Sequence, residues 1–151
     1  MKISILYVAS IIVANLGFVY LPMVPLPFGE MFAPMSLLVG FIFVIRDFAQ
    51  KQIGHKVLGL MAIGTSISYL LADPFVAIAS AVAFGISETA DWLYYSVSKK
   101  SLKNRILVSS AISTPIDSAV FMLIAGFFSW YGLLVMIFSK MLGAYLVWRK
   151  L

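Results

Sequence analysis

The sequence predicts an all-α membrane protein: six transmembrane helices in one domain, with both termini on the cytoplasmic side. Three observations carry this. Of 151 residues, 62% are hydrophobic and 11% charged, and the mean hydropathy is +1.03. Soluble domains are about 45–50% apolar and about 25% charged, so this chain has too few charges to cover a surface. The apolar residues fall in runs near the roughly 17–25 residues that a helix needs to cross a bilayer. Finally, the basic residues sort to one side of those runs.

The first span is 3–21, directly after Lys2. More hydrophobic segments follow and no cleavage site is evident, so it reads as a retained span and not a signal peptide. "PMVPLPFGEMFAP" then carries four prolines, which remove backbone donors and stop a helix. The second span is 34–53 and the third, 57–72, is short. In "ADPF", Asp73 reads as an N-cap and Pro74 as the first helical residue of the fourth span, 74–97. A tight hairpin should join spans three and four. "KKSLKNR" reads as solvated, the fifth span as 106–128, "SWYG" as a short turn and the sixth span as 131–148. A single integral membrane domain, 1–151, is expected.

With six spans, one side holds Lys2, Lys51, Lys56, Lys99, Lys100, Lys103, Arg105, Arg149 and Lys150, which is nine of the 11 basic residues. The opposite loops hold none. Cytoplasmic loops are enriched in Lys and Arg, so both termini are placed inside. The asymmetry accounts for the net charge of +5 without nucleic acid as a partner. The absence of cysteine excludes disulfides, thiolate metal sites and cysteine nucleophiles.

Arg46 and Lys140 remain, together with acids that fall in or at the ends of spans: Asp47, Asp73, Glu88, Asp91 and Asp117. A charge at a helix centre costs about 2.5–3.5 kcal/mol even on the lenient insertion scale, so such groups face a bundle interior or a wet cavity. In "GISETADWLYY", Glu88 and Asp91 stand at i, i+3 and share a face. Phe84 and Tyr95 extend it, while Ala77, Ala81 and Gly85 offer a small-residue packing face on the other side. "SSAISTPIDSAVF" aligns Ser110, Ser113 or Thr114, Asp117 and Phe121, and Pro115 is expected to interrupt that helix. Helix two adds Arg46, Asp47 and Gln50, helix six Lys140 and helix one Asn15. The pattern predicts a polar chamber in which Lys140 neutralises one carboxylate and Arg46 another.

Plainer readings exist for each group. Arg46 and Asp47 lie near the cytoplasmic end of helix two and read equally well as interfacial; Lys140 has the reach to snorkel, and Asp117 could be structural beside Pro115. Trp92 is ambiguous between the lipid interface and the carboxylates. His55 stands alone, so no metal is expected, and no cofactor. There is no GxSxG, HExxH or Walker motif, and the chain is not expected to be an enzyme.

The ordered set resembles the queuosine precursor transporter family, also called vitamin uptake transporter-like. That family has an Asn in helix one, an F-P-x-x-F-L-x-x-D type helix two, Gln or Glu three before Asp in helix four, Ser-x-x-Asp in helix five and Lys in helix six. Asn15, the "APMSLLVGFIFVIRDFAQKQIG" stretch with Asp47, Glu88 and Asp91, Thr114 and Asp117, and Lys140 match it here. The fifth-helix motif departs as Thr-Pro-Ile-Asp. The resemblance implies a fold similar to the S components of energy-coupling vitamin transporters. It also implies import of 7-cyano- or 7-aminomethyl-7-deazaguanine across the inner membrane, without a dedicated ATPase. A carboxylate among Glu88, Asp91 and Asp117 would accept the base's paired N–H groups. Asn15 or Lys140 would donate to its carbonyl, and Phe84, Trp92 or Phe121 would stack on its ring. The partners expected are that small molecule, the lipid bilayer and, as an alternative to a monomer, a second copy of the chain. Two other readings stay open. One is an S component for another vitamin, docking an ATPase complex through Ser10 and Ala14 on helix one. The other is a membrane scaffold that transports nothing.

Overall fold

The computed structural model describes residues 2–71 and 74–151. Among them are six α-helices: α1 (Lys2–Tyr20), α2 (Ser36–Ile53), α3 (Val57–Leu71), α4 (Pro74–Val97), α5 (Leu102–Ile124) and α6 (Trp130–Lys150). The predicted N-cap Asp73 lies outside the described residues, as does the side chain of Ala77.

The helices alternate in direction. The start of α2 meets the end of α1 where Met35 packs over Gly17. At the other end, Gln50 of α2 donates to Ser96 of α4 at 2.7 Å. There too Arg105 of α5 lies 5.1 Å from the Tyr95 ring, and Lys103 lies 4.7 Å from that of Trp148. The basic residues therefore gather on one end of the bundle, the basic face, and the residue 21–35 and 125–129 connections on the other, the loop face.

The structure moves several boundaries. The proline-rich connection reaches past Pro34, so α2 begins at Ser36. Inside this connection Val24–Pro25 and Met31–Phe32 form a two-stranded antiparallel ribbon, closed by Leu26 N–H donating to the Glu30 carbonyl at 2.7 Å. Helix α5 starts four residues early, because Lys103 and Arg105 keep their charges in water while their stems extend the helix. It also stops early. Gly126 takes a left-handed φ of +78°, and the Phe127 and Gly126 N–H groups cap the carbonyls of Met122 (3.2 Å) and Leu123 (3.4 Å), the two bonds of a Schellman stop. At the other connection, Ser129 Oγ accepts from Gly132 N–H at 2.9 Å and caps α6. Pro115 does not interrupt α5, which runs through it unbroken. The Thr114 hydroxyl bonds the Ser110 carbonyl in the turn before it.

The small-residue face of α4 is also displaced. A side chain on Gly85 would meet open space, whereas Ala79, Ala83 and Ser87 are buried. They sit on the same half of the helix as Phe84, Glu88, Asp91 and Tyr95. A peripheral helix has one inward face, and here it carries both the packing and the polar residues. Helices α2 and α6 approach each other closely. A Cβ on Gly143 would stand 2.9 Å from the Phe41 nitrogen, and one on Gly40 would overlap the backbone carbonyl of Lys140.

The bundle is apolar outside and charged inside. Ile5, Val13, Leu123 and Phe138 are exposed, while Arg46, Asp47, Glu88, Asp91 and Lys140 are buried. Such a surface suits lipid and not water. Helices α1, α5 and α6 are each long and apolar enough to cross a membrane. Helix α3, at 15 residues, reaches about 22 Å against a hydrocarbon core of about 30 Å.

Candidate functional site

Arg46 is the hub of a polar cluster near the basic face. It stands on α2 two turns from the helix end, and its side chain is wholly buried (0% exposed). Its guanidinium lies 3.0 Å from Asp47 Oδ1 and 3.4 Å from Glu88 Oε2, and it pairs with Asp91. It donates to Gln50 Oε1 at 2.6 Å. Tyr7 of α1 donates to Glu88 Oε2 at 2.8 Å, and Ser109 of α5 to Asp47 Oδ2 at 2.9 Å. Side chains from α1, α2, α4 and α5 thus converge on one cation. Glu88 and Asp91 reach it together because their i, i+3 spacing puts both on the inward face of α4. A guanidinium has five donors in a planar fork and serves several spread acceptors at once, where a lysine offers three from a single atom.

Nearer the loop face lies a chamber of about 590 Å³. Its walls come from α1 (Ile11, Ala14, Asn15), α3 (Ser68), α4 (Ser80, Ala83, Phe84), α5 (Asp117, Phe121) and α6 (Met136, Lys140). At its mouth stand Phe18, Val19, Met23, Met31 and Phe127, all exposed. One ion pair lines it. Lys140 Nζ sits 2.5 Å from Asp117 Oδ2 and donates to Ser118 Oγ at 2.9 Å. Asp117 Oδ1 accepts from Ser87 of α4 at 3.1 Å. Lys140 is thus buried in the interior and does not snorkel. A carboxylate has about four lone-pair positions and an ammonium three protons, so both groups keep capacity for a ligand.

Asn15 has a definite orientation. Its Nδ2 lies 2.8 Å from the Ile11 carbonyl, which can only accept, and donates also to Ser68 Oγ at 3.1 Å. Both amide protons are therefore used, which leaves Oδ1, an acceptor, as the side chain's remaining polar atom.

The nine residues singled out from the sequence separate into two places and an outlier. Asn15, Phe84, Asp117, Phe121 and Lys140 line the chamber. Asp47, Glu88 and Asp91 lie in the Arg46 cluster, below it. Trp92, half-buried, stands edge-on to His55 at 5.7 Å and lines neither. Arg46 is buried among the carboxylates and is not exposed at the helix end. Tyr7, Ser68, Ser87 and Ser109 were not singled out; an isolated hydroxyl in an apolar run carries no periodic signal, and only the fold shows what it faces. Ser10 and Ala14, the suggested docking face of α1, are buried against the chain's own helices.

The arrangement suits a small molecule with polar groups. The chamber volume of about 590 Å³ falls within the roughly 300–1,000 Å³ of small-molecule sites, Phe84 and Phe121 are among its walls, and one acid and one base sit side by side. The sequence pattern of the family described as "Putative vitamin uptake transporter" matches residues 28–148. No curated protein and no solved structure matches the chain.

Proposed function

This chain belongs to the vitamin uptake transporter family, and we propose that within it the protein imports a 7-deazaguanine precursor of queuosine, the 7-cyano or 7-aminomethyl base, acting as a carrier and not as an enzyme. The observation that carries the reading is the Asp117–Lys140 pair on the wall of a chamber of about 590 Å³ flanked by Phe84 and Phe121. A guanine-like base presents a ring N–H and an exocyclic amine along one edge and a carbonyl beside them. Asp117 accepts from the first two as a bidentate carboxylate. Lys140 donates to the carbonyl, a role for which the orientation of Asn15 leaves that residue unsuited. Asn15 Oδ1 instead accepts from a remaining ring N–H. Phe84 or Phe121 stacks on the ring, a contact typically worth about 1–3 kcal/mol.

In this reading all six helices cross the membrane, with the basic face cytoplasmic. The inward turn of every charge in the middle of α2 and α4 supports it, because these charges meet protein and not lipid. The chamber mouth then faces outward, as uptake requires, and Asp47, Glu88 and Asp91 form its charged floor. Binding to purified protein tests the substrate. A ligand that binds only the folded state raises apparent stability, by about 2.7 kcal/mol at a hundredfold excess over Kd. The 7-deazaguanines should stabilise the protein and a panel of vitamins should not. Stabilisation by a vitamin alone would keep the chamber and discard this substrate.

A further inference from the structure

We propose that the Arg46 cluster is the inner gate of the chamber, a charge lock that closes the basic face and must come apart for cargo to leave on that side. The chamber is asymmetric. Its mouth at the loop face is rimmed by exposed side chains such as Phe18 and Met31, whereas toward the basic face it ends on Ile11 and Ile42, buried to 1% and 2% exposure. One to two turns beyond, Tyr7, Arg46, Asp47, Glu88 and Asp91 are each wholly buried at 0%. The lock draws α1, α2, α4 and α5 together at one level of the bundle.

Stability alone does not account for such a cluster. Three carboxylates around one guanidinium are costly to desolvate, and well-packed apolar residues in place of a buried ion network are often neutral or stabilising. Two acceptors of the cluster, Glu88 Oε1 and Asp91 Oδ1, are buried and make no direct hydrogen bond to protein among the described residues. Such acceptors on a multivalent hub favour rearrangement, since a second set of partners gains what the first lacks. Two alternative pairings of one charged hub make a bistable element, as a gate requires. The cluster also joins the chamber through α4, where Phe84 lines the cavity and Ser87 bonds Asp117, each within a turn of Glu88.

The chain contains no cysteine, so a single introduced thiol reports access without background. Ser80 lines the chamber. In Ser80→Cys protein in sealed vesicles, a membrane-impermeant maleimide should label from the loop face and not from the basic face. Adding Arg46→Gln should open the second route and raise labelling from the basic face about tenfold or more, each tenfold being about 1.4 kcal/mol of gate closure. Ready labelling of the parent from the basic face would overturn the proposal, as would an Arg46→Gln protein still labelled from the loop face alone. If Arg46→Gln does not reach the membrane, Tyr7→Phe and Ser109→Ala each remove one tie. Basic-face labelling should then rise about two- to tenfold, as expected for one hydrogen bond, and no rise in either would refute the gate. No substrate is used, so this outcome is separate from that of the proposed cargo.

Discussion

Removing one member of the Asp117–Lys140 pair should damage the fold and the site in different proportions from removing both. The two atoms stand 2.5 Å apart, with side-chain exposures of 10% and 2%. Asp117→Asn leaves the Lys140 ammonium buried without a counter-charge, with Ser118 and at most a neutral amide oxygen to accept from it, and Lys140→Met leaves the Asp117 carboxylate with Ser87 as its hydrogen-bond partner among the described residues. Breaking a buried pair in this way costs about 3–5 kcal/mol, whereas replacing both charges together is often close to neutral. Thermal or denaturant unfolding of the purified single and double variants should therefore show coupling of several kcal/mol, with Asp117→Asn/Lys140→Met more stable than either single variant. Ligand stabilisation should be lost in all three, because the double variant repairs the fold and not the recognition. Two results would refute the reasoning. Single variants that each lose less than about 1 kcal/mol and add in the double would show that the pair behaves as a solvated surface pair. A double variant that binds like the parent would show that the ligand does not use it.

Other expectations follow from the same geometry. Gly143→Ala places a carbon 2.9 Å from the Phe41 nitrogen, against an optimum of about 3.5–4.0 Å, so α2 and α6 must part and stability should fall by about 1–3 kcal/mol, read as a lower unfolding midpoint. Phe84→Ala and Phe121→Ala should be compared in ligand titrations; the one that stacks on the ring should weaken Kd by about 5- to 150-fold, as expected for about 1–3 kcal/mol. Trp92→Phe, outside the chamber, should leave Kd within about twofold, and a large loss would place the ligand lower in the bundle. Ser87→Ala removes one acceptor contact of Asp117 and should cost about 0.5–1.5 kcal/mol of stability.

The helices were legible from the sequence because apolar runs and proline breaks are local signals. Ends set by backbone geometry were less so. The left-handed turn at Gly126 stops α5 inside a stretch, "AGFFSW", that composition alone continues. Pro115 misled in the opposite sense: its missing N–H reads as a break, yet a helix already turned inward runs through it.

The polar residues were legible as a set, since charges in apolar runs stand out one by one. Their partition was not. Glu88, Asp91, Asp117 and Lys140 look equivalent in sequence, but about a turn or two of helix separates the chamber from the cluster below it. Arg46 illustrates the limit most clearly. Its position near a helix end suits an interfacial residue, and only the convergence of Tyr7, Asp47, Glu88 and Asp91 from three helices makes it a hub. The amide orientation of Asn15, which turns an expected donor into an acceptor, depends on the Ile11 carbonyl and Ser68 and has no counterpart in the sequence.

The most direct test of the central claim is flux of radiolabelled 7-cyano-7-deazaguanine into liposomes containing the purified protein. The account predicts saturable entry well above protein-free liposomes, suppressed by excess unlabelled base and abolished by Asp117→Asn protein that still inserts. Entry no faster than into empty liposomes, with a vitamin carried instead, would contradict it.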